Sequence, residues 1–249
     1  MAPLLEFINV SCAAAEPVEG LSFSIGAGEN AVFFGVEQSG LRTLTQLMLN
    51  LEELYSGDIR YRGKTLQGLD YLGKLRYKNE IGYVHGDYGL ISNMTVEQNI
   101  ALRLDYYSEY SPGEITRITE RLMGELNILD KRKARPVELT ASQIFRTAYG
   151  RAVAHDPGLL IIEHAFTGLS PLNISSFMDV LKRRVESPDK SVVFVTYDPQ
   201  KFLDFADNFI MLYQGRVVFS GDRREFRESE NPYLVQYRNV ALEGPMDIR

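Results

Sequence analysis

The stretch from Ala31 to Leu44 constrains this chain more than any other. It runs from an apolar strand, Ala31-Val32-Phe33-Phe34-Gly35, through Val36-Glu37-Gln38-Ser39-Gly40, into a helical segment that opens with Leu41-Arg42-Thr43-Leu44. Strand, glycines five apart and helix make up the layout of a phosphate-binding loop, G-x-x-x-x-G-K-[ST]. The glycines let backbone N–H groups curl toward phosphate at a helix N-terminus, where the dipole favours anions. The chemistry of the pattern is absent, however. Leu41 stands at the lysine position and Arg42 at the hydroxyl position. Arg42 and Thr43 resemble a lysine-threonine pair displaced by one residue, but one residue turns a side chain by roughly 100° around a helix. They therefore do not restore the site. Any nucleotide held here would rest on Gly35, Val36, Glu37, Gln38, Ser39, Gly40, Leu41, Arg42 and Thr43. A glycine pair alone is equally compatible with a ligand-free strand-to-helix turn.

The surrounding pattern is α/β. Strand-like runs occur at Leu4–Val10, Leu21–Ile25, Ala31–Gly35, Ile59–Tyr61, Ile81–Val84, Leu159–Ile162, Val192–Thr196, Phe209–Leu212 and Val217–Phe219, with helical stretches between them. The β-rich start and the later βα units predict a mixed sheet with an antiparallel N-terminal part. From about Ser92 to Ala154 the pattern is almost wholly helical, including Gly113–Leu129 with Ile118, Leu122 and Leu126 at helical spacing. The expected organisation over residues 1–249 is a single domain. Its α/β core covers 1–91 and 155–225, a helical subdomain is inserted at 92–154, and an extension covers 226–249.

Composition narrows the function. With 249 residues and 45% apolar content the chain can bury a large core. A net charge of −6 argues against nucleic-acid binding, which needs a cationic face. The single cysteine, Cys12, excludes a disulfide framework and a cysteine zinc cluster, and no metal site is expected. The first residues carry no signal-peptide pattern and no apolar run approaches the roughly 20 residues that span a bilayer, so a cytoplasmic protein without direct membrane insertion is expected. The basic run Lys131-Arg132-Lys133-Ala134-Arg135 follows the Gly113–Leu129 helix. It reads as a solvated helix end with cations favoured by the dipole, or as a face toward lipid phosphate or a partner.

From Phe7 to Gly221 the chain resembles an ABC-transporter ATPase, with that family's landmarks in order. After the phosphate loop come Ser56-Gly57-Asp58-Ile59, Ile81-Gly82-Tyr83-Val84 at the Q-loop strand, and Asn93-Met94-Thr95-Val96-Glu97-Gln98-Asn99. Then follow Glu138-Leu139-Thr140-Ala141-Ser142-Gln143 at the signature, Arg151-Ala152, Asp156-Pro157, Leu159 to Pro171 through the Walker B and D-loop, and Val195-Thr196-Tyr197-Asp198 at the switch.

Framework residues match, while the residues that would do chemistry differ. The resemblance implies a Q-loop glutamine at Gly86, an Asp-Glu pair at Glu163-His164, an aspartate at Ser170 and a histidine at Tyr197. No adenine-stacking aromatic stands in Cys12-Ala13-Ala14-Ala15. Glu163 is one position early for the catalytic glutamate, and alternate strand residues point to opposite sides. It remains a candidate metal carboxylate, and His164 is either a base or a space-filling residue. Phosphoryl transfer depends on positioning and charge stabilisation, so losing several of these groups together predicts no turnover. In the signature, Leu139, Thr140, Ala141, Ser142 and Gln143 replace L-S-G-G-Q and keep a hydroxyl.

Ala165-Phe166-Thr167-Gly168-Leu169 and the tail Asn231-Pro232-Tyr233-Leu234-Val235-Gln236-Tyr237 with Gly244-Pro245 are most similar to the ATPase subunit of Mla-type phospholipid transporters, which act with MCE proteins. The resemblance implies a permease partner contacted near Gly86–Thr95, a location peripheral to the inner membrane through that permease, and a dimer with a second copy or another ATPase subunit. In such a dimer Leu139–Gln143 could complete the partner's ATP site. It also implies a tail reaching a neighbouring subunit; the other reading is a helix packed on its own domain. The functional expectation is a pseudo-ATPase subunit, structural or regulatory. A weakly active or nucleotide-binding ATPase, with ATP and magnesium held weakly, and a soluble regulator are the alternatives.

Overall fold

Burial follows the sequence pattern closely. The structure is a computed structural model that describes residues 3–53, 55–107 and 110–247. In chain order the elements are β1 Leu5–Cys12, β2 Val18–Ile25, β3 Ala31–Gly35, α1 Leu41–Met48, β4 Tyr55–Tyr61, β5 Lys64–Thr65, α2 Tyr71–Asn79, β6 Ile81–His85, α3 Val96–Tyr107 and α4 Pro112–Glu125. They continue with α5 Ala141–Val153, β7 Leu159–Glu163, α6 Pro171–Val185, β8 Ser191–Thr196, β9 Asn208–Tyr213, β10 Arg216–Asp222, α7 Arg223–Glu228 and α8 Pro232–Arg238. The chain forms two compact units, one from Met1–Lys78 with Ser191–Arg249 and the other from Asn79–Lys190. The first two and last two residues of the expected organisation lie outside the described residues.

In the first unit β1 pairs antiparallel with both β2 and β4, with Phe7 opposite Phe23 on one side and Ile59 on the other. One face of this sheet is buried through Leu5, Phe7, Val10 and Cys12, as alternation requires when the other side is wet. The short β5 hairpin onto β4 carried no sequence signal. β4 also starts earlier than the apolar run Ile59–Tyr61, because Tyr55 to Asp58 pair with β1 despite their polarity. Every residue of β3 is buried, since it is parallel to β8 on one side and to β9 on the other. β9 is antiparallel to β10, which makes this sheet mixed, as expected. Asn30 locks the entry to β3: its N–H donates to Asp207 at 2.8 Å and its side-chain oxygen accepts from Val192 N at 3.0 Å.

The second unit contains the parallel pair β6 and β7, together with α3, α4, α5 and α6. The expected helical insertion therefore sits in one unit with these two strands and α6. α5 runs close over β6, because a Cβ on Gly82 would lie 2.5 Å from Ala152 O. Phe145, Tyr149, Phe166 and Phe177 form an aromatic core here, with centroids 4.4 Å (Phe145 to Phe177), 4.7 Å (Tyr149 to Phe177) and 5.2 Å (Phe145 to Phe166) apart. α4 begins on a Ser111/Glu114 capping box but ends at Glu125, before the expected Leu129. Asn127, at φ 52°, turns the chain into a 3-10 turn at Leu129–Lys131. The basic run therefore does not continue α4, and Arg132 within it is tied to Glu97 and Glu120.

Candidate functional site

The phosphate loop is built in the first unit. β3 delivers Gly35, where a Cβ would meet Leu212 O at 2.3 Å and Ser39 Oγ at 2.7 Å, so only glycine fits. Ser39 N donates to Val36 O at 3.2 Å, and Ser39 O accepts from Gly215 N at 3.0 Å, which pins the loop to the β9–β10 turn. Gly40 is left-handed at φ 97°, and α1 starts directly after it with Leu44 N donating to Gly40 O at 2.9 Å. The expected residues Gly35 to Thr43 thus form one strand-turn-helix. Their side chains differ from a phosphate cradle, though. Leu41 is buried (3% exposed) and Thr43 is buried, whereas Arg42 between them is exposed, as one helical step dictates. Glu37 and Gln38 are exposed at the loop, and the buried Ser39 Oγ has no hydrogen-bond partner. A phosphate would find backbone N–H groups and the α1 dipole, but no lysine beside them and a carboxylate nearby.

The switch position belongs to the same unit. Tyr197 follows β8 and is half exposed. Its carbonyl accepts from the Tyr237 hydroxyl at 2.6 Å, and the same hydroxyl lies 3.1 Å from Gly35 O. The Tyr237 ring packs edge-on against Phe34 at 5.3 Å. Burial pushes its phenol well above the usual value, and the negative charges of Asp198 and Glu37 push the same way. The sequence marked Tyr237 only as the end of a tail pattern, and its tie to the phosphate loop could not be read there. α8, capped by Asn231, packs on its own unit through Leu234 and Gln236. The Gln236 amide donates to Met246 O at 3.0 Å and accepts from Met246 N at 2.8 Å, folding the end of the chain back on the helix.

The Walker B, Q-loop and signature positions are in the second unit. β6 and β7 place His85 opposite Glu163. The Glu163 carboxylate, 6% exposed by residue, accepts a short hydrogen bond from the Tyr83 hydroxyl and lies 3.9 Å from His85 Nε2, while His85 Nδ1 is 2.8 Å from Asp87. Burial first, then the bond to Glu163, raises the Tyr83 phenol far above its usual range, so it stays a donor. In the sequence Glu163 is a candidate metal carboxylate, and Tyr83 stands only within the Ile81 to Val84 strand motif; the geometry gives one Glu163 oxygen a phenol. Among the described residues no group of three or more His, Cys, Asp or Glu side chains is arranged to hold a metal.

His164 is left-handed at φ 49°, and its carbonyl accepts from Thr167 Oγ1 at 3.0 Å. That carbonyl would lie 3.1 Å from a Cβ on Gly86, so the Q-loop glycine is packed as well as lacking a side chain. Ser170, at the D-loop aspartate position, N-caps α6 by accepting from Asn173 N at 3.3 Å. Thr140 and Gln143 of the signature form a reciprocal capping box at the start of α5, with bonds of 3.4 and 2.9 Å, and Ser142 Oγ accepts from Arg146. Within each unit, the side chains at these positions do not form a donor set that fits a magnesium nucleotide.

The architecture is that of an ABC-type ATPase domain. The chain matches the family described as ABC transporter over residues 18–167, more than half its length, and it belongs to that family. It is 27% identical to the methionine import ATP-binding protein MetN of Rhizobium etli over 84% of this chain and 57% of the relative. It is also 27% identical to the phosphonates import ATP-binding protein PhnC of Bacillus cereus, covering 98% of each. The chain thus spans little more than half the length of some of its relatives, MetN among them. Among solved structures, cbiO1 of Clostridium perfringens, described as part of the ABC transporter complex cbiONQ, superposes with TM-score 0.82 at 20% identity, over 97% of this chain and 96% of that one. At that identity the likeness shows the fold.

Proposed function

We propose that this chain is a nucleotide-binding-type subunit of an ABC transporter that does not turn over ATP itself and serves as a structural or regulatory partner of a membrane permease. The observation that carries this reading is the phosphate loop, whose backbone is kept while Leu41 sits buried where a lysine would reach the phosphates. The Tyr83 bond to Glu163 and the packed Gly86 point the same way. Backbone N–H groups at the start of α1 leave room for weak ATP binding without hydrolysis.

The permease would dock near Gly86–Thr95, where Asn99 orders the loop. Its side chain donates to Ile91 O, Met94 O and Thr95 O and accepts from Ile91 N. No helix among the described residues is long and apolar enough to cross a membrane, so attachment at the cytoplasmic side would go through that partner. Dimerisation with a second copy or an active ATPase subunit would present Thr140–Gln143, at the start of α5, to the other chain's nucleotide. A lipid cargo rests on the Ala165–Leu169 and tail patterns alone. Phe166 also has a packing role beside Phe145, and the relatives above are named for methionine and phosphonate import.

The test is mild purification from the native host, with an ATPase assay on the complex and on the isolated chain. A co-purifying permease, with no magnesium-dependent turnover by the isolated chain, is the expected result. Turnover abolished by Glu163→Gln would overturn the inactive reading. A soluble complex without membrane proteins would point instead to a regulator, which nucleotide-dependent thermal shift would then identify.

A further inference from the structure

The second unit has a cleft of about 550 Å³ among α4, α5 and α6, lined by none of the phosphate-loop, Q-loop, signature, Walker B or switch residues. Its apolar lining includes Leu122, Leu126 and Tyr149, all nearly buried. Its charged lining is four cations, Arg121, Arg183, Arg184 and Lys190, against two carboxylates, Glu125 and Asp156. On a chain with a net charge of −6, this local cationic excess does not follow from general basicity. Glu125 pairs with Arg121 at 3.5 Å, while Asp156 takes both Lys190 at 3.0 Å and Arg184 at 3.8 Å. One carboxylate therefore answers two cations. A helix C-terminus attracts cations without any ligand, and Arg183 and Arg184 both stand in the last turn of α6. Arg184 differs from the exposed Arg183 in its burial. The Arg184 side chain is only 9% exposed and donates to Pro157 O, yet its Nε is buried with no partner. A buried guanidinium N–H without an acceptor is costly, which marks the cleft wall at Arg184 as incompletely neutralised.

We propose that this cleft binds a phosphate-bearing anion, held by Arg121, Arg183, Arg184 and Lys190 over the Leu122 and Tyr149 surface. The volume suits a small organophosphate or a lipid headgroup, within the range of ligand pockets generally. The site is independent of the phosphate loop.

The probes are inorganic pyrophosphate and phenyl phosphate, titrated calorimetrically into the full chain, and vesicles of phosphatidylglycerol against phosphatidylcholine in co-sedimentation. Saturable binding of a soluble probe, weakened about tenfold or more in R121Q/R183Q and unchanged in R224Q at an exposed arginine of α7, is expected, since charged hydrogen bonds of this kind are worth that much. Arg121 and Arg183 are exposed, so the double variant should fold, and its thermal melt checks this. Binding only to phosphatidylglycerol vesicles, lost in R121Q/R183Q, supports the same site with a headgroup as the source. No binding of any probe, binding untouched by R121Q/R183Q, or binding lost in R224Q overturns the proposal.

Discussion

Tyr237 ties the C-terminal helix to the end of β8 with one hydroxyl. Because it has a single hydrogen, it serves Tyr197 O at 2.6 Å in preference to Gly35 O at 3.1 Å. Tyr237→Phe keeps the edge-on contact with Phe34 and loses only this bond, so urea unfolding should show a loss of about 1 kcal/mol. No loss would mean that water replaces the bond freely. The same scale decides what a side chain at Gly86 would cost. A Cβ on Gly86 would press on His164 O at 3.1 Å, so Gly86→Gln should cost roughly 1–3 kcal/mol in the melt, as overpacking does. Leu41→Lys would put an ammonium where leucine is 3% exposed, with its own desolvation cost. A Gly86→Gln chain as stable as the parent would show that His164 yields.

Among the elements, α3 and the loop before it depend on Asn99. It is wholly buried and makes four hydrogen bonds to the backbone of residues 91–95. Asn99→Ala should destabilise the chain by roughly 1–3 kcal/mol, because Ile91 N and Met94 O lose the amide, while Ile91 O and Thr95 O keep the backbone N–H groups of Met94 and residue 99. Hydrogen exchange should rise first in residues 91–95, and protection unchanged there would contradict this role. Asn99 stood in the motif Asn93 to Asn99, so its place was legible from sequence, although its bonds were not.

β3 and the turn into α1 were legible because a continuous apolar run followed by spaced glycines is a purely local pattern. The Tyr83 bond to Glu163 was not, since it depends on the parallel register that sets His85 against Glu163 across a long separation in sequence. The end of α4 was misread for the opposite reason. Leu126 to Leu129 keeps apolar character, while the left-handed Asn127 breaks the helix.

At the scale of the whole chain, stability at mildly acidic pH should turn on His155. Its Nε2 lies 3.2 Å from Ile81 O, and its buried Nδ1 has no partner. Burial first, and then the positive charge of Arg103, lowers its pKa to about 4, with Arg184 acting the same way and Asp156 opposing. The folded state therefore prefers the neutral ring, whereas an unfolded histidine titrates near the ordinary 6.5. The stability is fully present above about pH 6.5 and is lost as pH falls toward about 4, because the unfolded chain takes up the proton first. The shift corresponds to roughly 3 kcal/mol across that window. Carboxylates with lowered pKa, such as Asp58, act at lower pH and do not imitate this slope. General charge effects do overlap it, since the net charge of −6 shrinks toward the sequence pI of 5.3. Comparison with His155→Gln separates the two, because both chains share the general term. Urea unfolding from pH 8 to pH 4 should give a wild-type curve falling by roughly 3 kcal/mol more than the variant's, most of it between pH 6.5 and 4. Parallel curves would mean that His155 becomes protonated in the folded chain and that water reaches its ring.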